Sequence, residues 1–393
     1  MKTLVGLTLA VVVSLMPLSA QAYEPHGGAI FNHPTGTYNQ RWALMTHVEK
    51  AIDHTPRGAE ILIATYYLDR ETSVNKLIAA HKRGVHVKVA MDGNGDGSTD
   101  TISGPAQRLR RALNKDPNNT SSFVACQGSC RGGSDSRNMH SKFFAFSRTG
   151  TASDVVMLSS ANLNRGGALL GWNDLFTINN KPAIYAKFAK IHAEMLADTR
   201  AADMYQTDSF GNYATRFFPG PAAGPTVDPT RQDLRQVRCH GVTGGAGRAG
   251  RTAINVSMFY WGKTRGMLLA RRLVELQRQG CIVTIIYGAP TRDVSTLLRR
   301  VAKNTGLTLY DSRYDRNYDG QVDLRVHSKY LLINGNYKGD SSNWHVTTGS
   351  QNWSGGSLTG GDEVTLGIKS RTAYVQYMRN FSDIRRMGAR KVG

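Results

Sequence analysis

Two matching sets of polar residues, one in each half of the chain, have the types and spacing that phosphodiester chemistry needs. Each set contains a histidine, a lysine, a serine and an asparagine in that order: His140, Lys142, Ser160 and Asn162, and then His327, Lys329, Ser350 and Asn352. Together they supply two imidazoles, two ammonium groups and two side-chain amides. We expect these groups to hold a phosphodiester between one nucleophile and one proton donor.

Each His-x-Lys leads directly into an apolar run that is typical of a buried strand, at 143–146 and at 330–333. Side chains two residues apart on a strand point to the same side. His140 and Lys142 therefore share a face, and the same holds for each Ser-x-Asn. A single His-x-Lys arises by chance in a basic protein, whereas two copies, each followed by Ser-x-Asn at a similar distance, indicate a function.

The segments before these motifs also repeat, in the order strand, helix, glycine, strand. Ser73 is predicted to cap the first of these helices, and Gly84 and Gly280 to end the helices that precede them. The predicted elements are strands at 60–67, 85–91, 253–260 and 281–287, helices at 74–82 and 267–278, and closing helices at 185–195 and 374–387.

This order predicts an α/β fold, with an α/β sandwich in each half and a mixed rather than purely parallel sheet flanked by helices. We expect two similar lobes related by a pseudo-twofold axis, at 23–220 and 221–393. The stretch 208–251, which is rich in glycine and proline, is predicted to connect the halves. Such packing would bring the two polar sets face to face.

The first 22 residues are typical of a signal peptide. Lys2 is followed by an apolar core and by Ala20-Gln-Ala22, which is a small-x-small cleavage site. We expect cleavage near Ala22 and a secreted protein, extracellular or periplasmic, because the core is too short to span a bilayer and no other stretch approaches about 18 apolar residues. Removing Lys2 changes the formal charge from +20 to +19, an excess that favours encounters with nucleic acids and anionic lipid surfaces.

Four cysteines in an exported chain predict two disulfides, for which three connectivities exist. Cys126 and Cys130 are close enough in sequence to close a small loop, and Cys239 would then pair with Cys281. A zinc site is the alternative interpretation, although no second ligand pair has the spacing of a zinc finger.

These motifs resemble those of the phospholipase D superfamily, whose signature is His-x-Lys-x4-Asp followed by Gly-Ser-x-Asn, present twice in the monomeric enzymes. The likeness covers nearly all of the chain after residue 22. Ser147 and Asn334 stand in place of the two signature aspartates, and Ser159 in place of the first glycine. Since that aspartate is regarded as structural in the family, we expect its loss to affect stability or orientation more than the reaction.

The resemblance implies a phosphodiester hydrolase with a covalent phosphohistidine intermediate and no required metal or other cofactor. His140 is expected to attack phosphorus, and His327 to protonate the leaving alcohol and then to activate water. The lysines and asparagines of the two sets would stabilise charge on the non-bridging oxygens. Because one chain carries both motif copies, a monomer is expected to be sufficient.

A histidine in either role needs an acceptor on its other ring nitrogen. Asp174 and Glu363 follow the two Ser-x-Asn asparagines by 12 and 11 residues, each before an apolar strand. Members of the family place an acid there. We therefore predict that these two acids orient the histidines.

Two stretches match the opening of a calcium-binding loop: Asp92, Asn94 and Asp96, and Asp315, Asn317 and Asp319. Position twelve, where a bidentate glutamate is expected, is Ser103 in the first loop and Val326 in the second. Polar turns also favour these residue types. A structural calcium at either stretch is therefore the less favoured of two interpretations.

The leading hypothesis for the substrate is a phosphatidyl lipid in a membrane or vesicle surface, with hydrolysis of its headgroup or exchange for another alcohol. Aromatic residues near the motifs, including Trp172, Phe259 and Trp353, fit lipid contact and core packing equally well. The alternative is an exported nuclease of the same superfamily, since basic charge suits tracking of a phosphate backbone. A third hypothesis is a basic binding protein on a degenerate scaffold. The histidine, lysine and asparagine positions are intact in both halves, which argues against it.

Overall fold

The computed structural model describes residues 22–93, 102–133, 137–221, 224, 226–315 and 317–392. The predicted signal peptide, apart from Ala22, lies outside the described residues, as do Asn94 and Asp96 of the first predicted calcium loop. Within the described part of the chain, no helix combines the length and the apolar character that a membrane span requires.

Strands and helices alternate through most of the described chain. The strands are β1 (Gly28–Phe31), β2 (Glu60–Thr65), β3 (His86–Asp92), β4 (Ser122–Cys126), β5 (Phe143–Thr149), β6 (Ala152–Ser159), β7 (Gly171–Trp172), β8 (Asp174–Ile178), β9 (Gln206–Phe210), β10 (Tyr213–Phe217), β11 (Val237–Arg238), β12 (Ala253–Trp261), β13 (Ile282–Pro290), β14 (Thr308–Asp311), β15 (Arg325–Val326), β16 (Lys329–Tyr337), β17 (Asp340–Gly349), β18 (Val364–Lys369) and β19 (Arg390–Val392). The helices are α1 (Tyr38–Arg41), α2 (Ala43–Asp53), α3 (Glu71–Lys82), α4 (Gly104–Leu113), α5 (Arg165–Leu169), α6 (Pro182–Leu196), α7 (Pro229–Arg235), α8 (Lys263–Arg278), α9 (Arg292–Thr305), α10 (Gly355–Thr359) and α11 (Arg371–Met387).

Two large mixed sheets confirm the predicted α/β fold. Their strand orders are β1-β8-β6-β5-β2-β3-β4 in the first and β19-β14-β13-β12-β16-β17-β18-β10-β9 in the second, where β11 also pairs with β16. In each sheet three parallel strands continue into at least three antiparallel ones. The parallel strands β2, β3 and β4 therefore correspond to β12, β13 and β14.

Three apolar cores hold this arrangement together. One core belongs to the first half and packs α2, α3 and α4 on its sheet, and a second packs α8 and α9 on the other sheet. The third contains residues of both sheets and both closing helices, among them Phe143, Phe188, Leu332, Tyr377 and Phe381. Since each fully buried side chain of this size contributes about 1.5–3 kcal/mol, the shared core fixes the two halves against each other.

The helix ends show where local sequence signals decide the fold and where tertiary contacts do. Gly84 and Gly280 have φ angles of 88° and 96°, the left-handed conformation that ends a helix at glycine. The prediction of Ser73 as an N-cap is wrong, because α3 begins at Glu71 after Arg70. Ser73 lies buried inside the helix and donates to Oε1 of Glu49 at 2.6 Å. A buried partner on α2 thus uses the hydroxyl that the sequence suggested for capping.

The stretch 208–251 is more than a connection. It contains most of the β9–β10 hairpin, which extends the second sheet through β18, and it also contains α7 and β11. Residues 206–217 precede the predicted lobe boundary at 220/221 and nevertheless pair with the second sheet. The division at 23–220 and 221–393 stays a prediction.

Both predicted disulfides are present. Cys126 pairs with Cys130, and Cys239 pairs with Cys281, across Cα–Cα distances of 5.1 and 4.5 Å. Cys126, Cys130 and Asp198 are also grouped closely enough to suggest a metal site. The disulfide uses both sulfur atoms as a covalent bond, so this group lacks the thiolates that zinc would need.

Candidate active site

Each of the two histidines is placed by the backbone of the opposite half. The His140 N–H donates to the carbonyl of Asp362 at 2.9 Å, next to a bridge between Met139 and Asp362. The His327 N–H donates to the carbonyl of Trp172 at 2.9 Å, directly after the parallel pairing of β15 with β7. These reciprocal contacts carry the pseudo-symmetry into the site and bring the two His-x-Lys motifs together.

Side chains of the opposite half also orient both imidazole rings. Nδ1 of His140 lies 2.9 Å from Oε1 of Glu363, whose other oxygen accepts a hydrogen bond from the Ser350 hydroxyl. Nδ1 of His327 lies 2.9 Å from Oδ1 of Asn173, which also accepts from the Ser160 hydroxyl at 3.0 Å. The predicted serines therefore support the residues that orient the histidines.

The Asn173 amide determines which His327 nitrogen carries the proton. Its NH₂ group donates to the carbonyls of Gly167 at 2.9 Å and Gly171 at 3.2 Å, so its oxygen must face the ring. An oxygen accepts only, and therefore Nδ1 of His327 donates to it. The Lys329 amine, 3.2 Å from the same nitrogen, donates instead to the His327 carbonyl. The carboxylate of Glu363 imposes the same choice on His140. Nε2 of each ring is left for the substrate.

Asp174 does not orient a histidine, so that part of the prediction is wrong. It is fully buried, and its carboxylate accepts hydrogen bonds from the hydroxyls of Thr348 and, at 2.9 Å, Tyr377 in the other half. Burial raises its pKa. Asn173, one residue earlier, is the true counterpart of Glu363, because β6 pairs Ser159 with Leu175 as β17 pairs Gly349 with Thr365. Aligning the halves at a constant offset of 190 from the Ser-x-Asn serines would have found it.

Both motif lysines are buried beside their histidines. The side-chain amines of Lys142 and Lys329 donate to the carbonyls of His140 and His327 respectively. Each amine also lies over an aromatic ring, Lys142 at 5.5 Å from the Tyr66 centroid and Lys329 at 5.1 Å from that of Phe259. The lysines are therefore fixed at the floor of the site.

Backbone groups fix the two motif asparagines with their amide nitrogens toward the site. Oδ1 of Asn162 accepts from the N–H groups of Tyr66 at 3.2 Å and Tyr67 at 3.3 Å. Oδ1 of Asn352 accepts from the N–H of Tyr260 at 3.3 Å. Among the described residues neither NH₂ group has a hydrogen-bond partner, so both are suited to donate to a bound anion.

Four basic groups influence one another electrostatically in this site. Burial lowers the pKa of Lys142 to about 7, and burial followed by the charge of Lys142 lowers that of Lys329. Burial also lowers the pKa of His140, against the opposing effect of Glu363. The pKa of His327 lies well below its usual value because of burial and then of Lys329, Lys142 and His140. Binding of an anion stabilises such a site, because the negative charge favours the protonated forms of the lysines and histidines.

The residues that replace the signature aspartates serve the scaffold. The Ser147 hydroxyl accepts a hydrogen bond from the Glu60 N–H at 2.8 Å. Asn334 accepts from the Gly247 N–H at 2.6 Å and donates to the Asn343 carbonyl at 3.0 Å. Ser159, in place of a glycine, donates to the Asp174 carbonyl and accepts from the Ala161 N–H, both at 2.9 Å. All three positions tie adjacent chain segments together.

The aromatic residues near the motifs have different roles. Phe259 lies beside His327, with ring centroids 4.7 Å apart, and Tyr66 beside His140 at 5.4 Å. Trp172 and Trp353 are buried and pack in the apolar cores. Tyr66 and Arg325 also border the site, and the sequence analysis did not predict that either residue lies there.

The second predicted calcium loop folds as a polar turn. Asp315 accepts from the Gly320 N–H at 2.8 Å, and the side-chain amide of Asn317 donates to Oδ2 of Asp319 at 2.8 Å. These contacts are those of a polar turn, which is the favoured of the two interpretations of this stretch. A calcium ion at this loop stays a prediction.

A family model described as the cardiolipin synthase, PLD-like domain matches residues 49–196 and 248–385. The chain therefore belongs to this phospholipase D-like family, which confirms the resemblance that the motifs suggested. A comparison with curated proteins yields no match.

Solved structures with the same fold include two enzymes of different kinds. Phosphatidylserine synthase from Haemophilus influenzae Rd KW20 aligns over 90% of this chain and 86% of its own, with 12% identity and a TM-score of 0.60. Polyphosphate kinase from Porphyromonas gingivalis aligns over 89% of this chain, with 14% identity and a TM-score of 0.55. This chain spans about half of that kinase, 49% of its length. At these identities the likeness shows the fold alone.

Proposed function

We propose that this protein is a secreted phosphodiesterase of the phospholipase D type, which hydrolyses the headgroup phosphodiester of phosphatidyl lipids through a phosphohistidine. One observation carries the proposal: two imidazoles in one buried cationic site are each held at Nδ1 from the opposite half, at 2.9 Å, with Nε2 left for the substrate. A single imidazole cannot serve both ends of an in-line displacement, and two can.

The different partners of the histidines support His140 as the nucleophile. When Nε2 of His140 bonds to phosphorus, its ring becomes positively charged, and the Glu363 carboxylate at 2.9 Å stabilises that charge. His327 has a neutral amide partner, and Lys329, Lys142, His140 and Arg325 all lower its pKa, so its imidazolium gives up a proton readily. A bound phosphodiester anion raises the pKa of His327 again and loads it with the proton that it must donate.

The proposed reaction has two steps. In the first, Nε2 of His140 bonds to phosphorus, the bond from phosphorus to the headgroup oxygen breaks, and His327 gives that oxygen its proton. In the second, His327 takes a proton from water, the water oxygen bonds to phosphorus, and the bond to His140 breaks. Lys142, Lys329, Asn162 and Asn352 stabilise the charge on the non-bridging oxygens throughout. An alcohol in place of water gives headgroup exchange, and one chain supplies every group.

Exposed apolar side chains near the site support a lipid substrate. Tyr314, Tyr318 and Val322 are exposed on the segment that leads into Arg325, and the Arg325 N–H donates to the carbonyl of exposed Leu170. Arg325 and Leu170 both line the cavity beside His327. An apolar rim of this kind suits contact with a membrane or vesicle surface. The names of the family model and of phosphatidylserine synthase point to the same substrate class.

A nuclease is the second candidate, and a basic groove favours it. Three adjoining cavities of about 570, 560 and 650 Å³ share lining residues, so they form one path along α8 and α9. Its exposed cations are Arg137, Lys263, Arg271, Arg292 and Arg300. A spaced row of cations fits the phosphates of a nucleic-acid strand.

One assay separates these functions and tests the histidine roles. Purified protein is incubated with phosphatidylglycerol vesicles or with plasmid DNA, both in the presence of a chelator. We expect phosphatidate from the vesicles and a loss of at least about 10³-fold in kcat for His140→Ala and for His327→Ala. Only His327→Ala should retain a phosphatidyl adduct, detectable by mass spectrometry after denaturation at alkaline pH.

Exposed His26 provides the matched control, and His26→Ala should keep the full rate. DNA cleavage without phosphatidate would move the function to the nuclease. An adduct on His327 instead of His140 would reverse the two roles.

A further inference from the structure

A small cavity lies beside His327, and neither of the two proposed reaction steps assigns it a role. Its volume is about 240 Å³, and it is lined by three glycines and by Asn162, Asn164, Leu170, Phe259, Arg325 and His327. If His327 donates the proton, as the proposed function requires, the departing alcohol leaves through this cavity. We refer to it as the leaving-group cavity.

Arg325 makes this cavity positively charged. Its guanidinium is partly exposed, lies 5.2 Å from the centroid of the Phe259 ring, and has no salt-bridge partner among the described residues. None of the described residues that line the cavity carries a carboxylate. Lys329 lies at 5.1 Å from the same ring. Arg325 is therefore a cation in the lining of this cavity without a carboxylate among the other described lining residues.

The Phe259 ring in this cavity is not available for a cation–π contact with a third cation. Quaternary ammonium groups are bound in proteins by aromatic faces with an unoccupied negative quadrupole. Arg325 and Lys329 already contact the Phe259 ring. A choline group placed beside them would meet two like charges in a partly desolvated site, where Coulomb repulsion is weakly screened.

The first half lacks an equivalent cation at this position. Arg325 precedes His327 by two residues, and the matching residue before His140 is Asn138. A cation two residues before the histidine is therefore present on one side of the site, the side from which the leaving group departs, while Arg137, next to Asn138, lines the basic groove.

We propose that the leaving-group cavity is the subsite for the headgroup alcohol, and that Arg325 restricts it to hydroxyl compounds without positive charge, such as glycerol, and excludes choline. The proposal rests on the proposed function. It names a specificity-determining residue and the chemical class of the headgroup.

Headgroup exchange tests this subsite directly, because the incoming alcohol occupies the place of the leaving one. The full-length mature protein is given monomeric dihexanoyl phosphatidylglycerol with equal concentrations of choline and 3,3-dimethylbutan-1-ol, the uncharged carbon analogue of choline. The two acceptors have the same shape, so their product ratio isolates the effect of charge. We expect the neutral alcohol to be favoured by about tenfold or more.

Three variants connect that ratio to Arg325. Arg325→Gln should bring the ratio close to one, and Arg325→Lys, which keeps the charge, should retain the preference. Arg278→Gln removes an exposed charge at the end of α8 and should leave the ratio unchanged. The same thermal midpoint in all variants confirms that they are folded.

The outcomes distinguish the inference from the function on which it rests. Equal use of the two alcohols in headgroup exchange, or a preference for the neutral alcohol that survives Arg325→Gln, would overturn the role of Arg325. Either result would leave the proposed phosphodiesterase function intact. The absence of phosphatidate and of both exchange products from the wild-type protein would overturn the lipid function and the inference with it.

Discussion

The two halves of this protein share their topology and differ at the residues that touch the histidines. Glu363 holds His140, and Asn173 occupies the equivalent position against His327. Asn138 precedes His140 where Arg325 precedes His327. Duplication thus gives two equivalent arrangements of strands, and single residues, one on the opposite half and one on the same half, make the surroundings of the two imidazoles unequal.

This difference matters because the two steps of a displacement need opposite properties. A nucleophile is improved by a carboxylate that stabilises the positive ring formed on attack. A proton donor is improved by surroundings that make its cation a stronger acid. In the proposed mechanism one carboxylate and one amide meet these two demands, Glu363 directly before β18 and Asn173 directly before β8.

Replacing the carboxylate that contacts His140 should have the largest effect. We expect Glu363→Gln to lower kcat by about 10⁴-fold, by analogy with replacement of the acid of a catalytic triad by its amide. Without the carboxylate the pKa of His140 falls further. Since the nucleophile must be unprotonated, the acidic limb of the kcat/KM profile should move to lower pH, as steady-state rates between pH 4 and 9 would show.

The matched variant is Asn173→Ala, which removes a neutral acceptor. We expect a loss of about 10²-fold in kcat and an acidic limb at its original pH. An equal shift of that limb in both variants would contradict the assignment of His140 as the nucleophile.

The disulfides offer a second comparison of the halves, in stability. Cys239–Cys281 joins residues 42 apart and Cys126–Cys130 residues 4 apart. Loop-closure entropy predicts about 4 kcal/mol for the longer loop and about 2 kcal/mol for the shorter. Double alanine variants, compared by urea unfolding, should rank in that order. The opposite order would show that native contacts outweigh the entropy of the unfolded chain.

The smallest effects are expected at the replaced signature positions. Asn334→Ala leaves a buried carbonyl and a partly buried N–H without these partners and should cost about 1–2 kcal/mol of unfolding free energy. Ser147→Ala loses one contact at a less buried position and should cost about 0.5–1 kcal/mol. Neither variant should change kcat/KM per folded molecule. A fall in kcat/KM without a change in stability would give these positions a role in the reaction.

The sequence predicted the parts of this structure that depend on local pattern. Buried strands, the glycine ends of helices and the duplicated motifs all follow from residue type and spacing, and the structure contains them. Asn173 was missed because a carboxylate was expected, and the neighbouring Asp174 offered one. Arg325 was missed because its meaning depends on the Phe259 ring, which is distant in sequence. Contacts between segments that are distant in sequence decide such positions, and no local pattern encodes them.

The bridges between Met139 and Asp362 and between β15 and β7 have a consequence for the order in which the molecule becomes complete. A ribosome produces the first half before the second, and a nascent chain that ends before Asp362 lacks the segment that holds His140. If the proposed function holds, we therefore expect truncated chains to be inactive until the C-terminal part has been synthesised and docked.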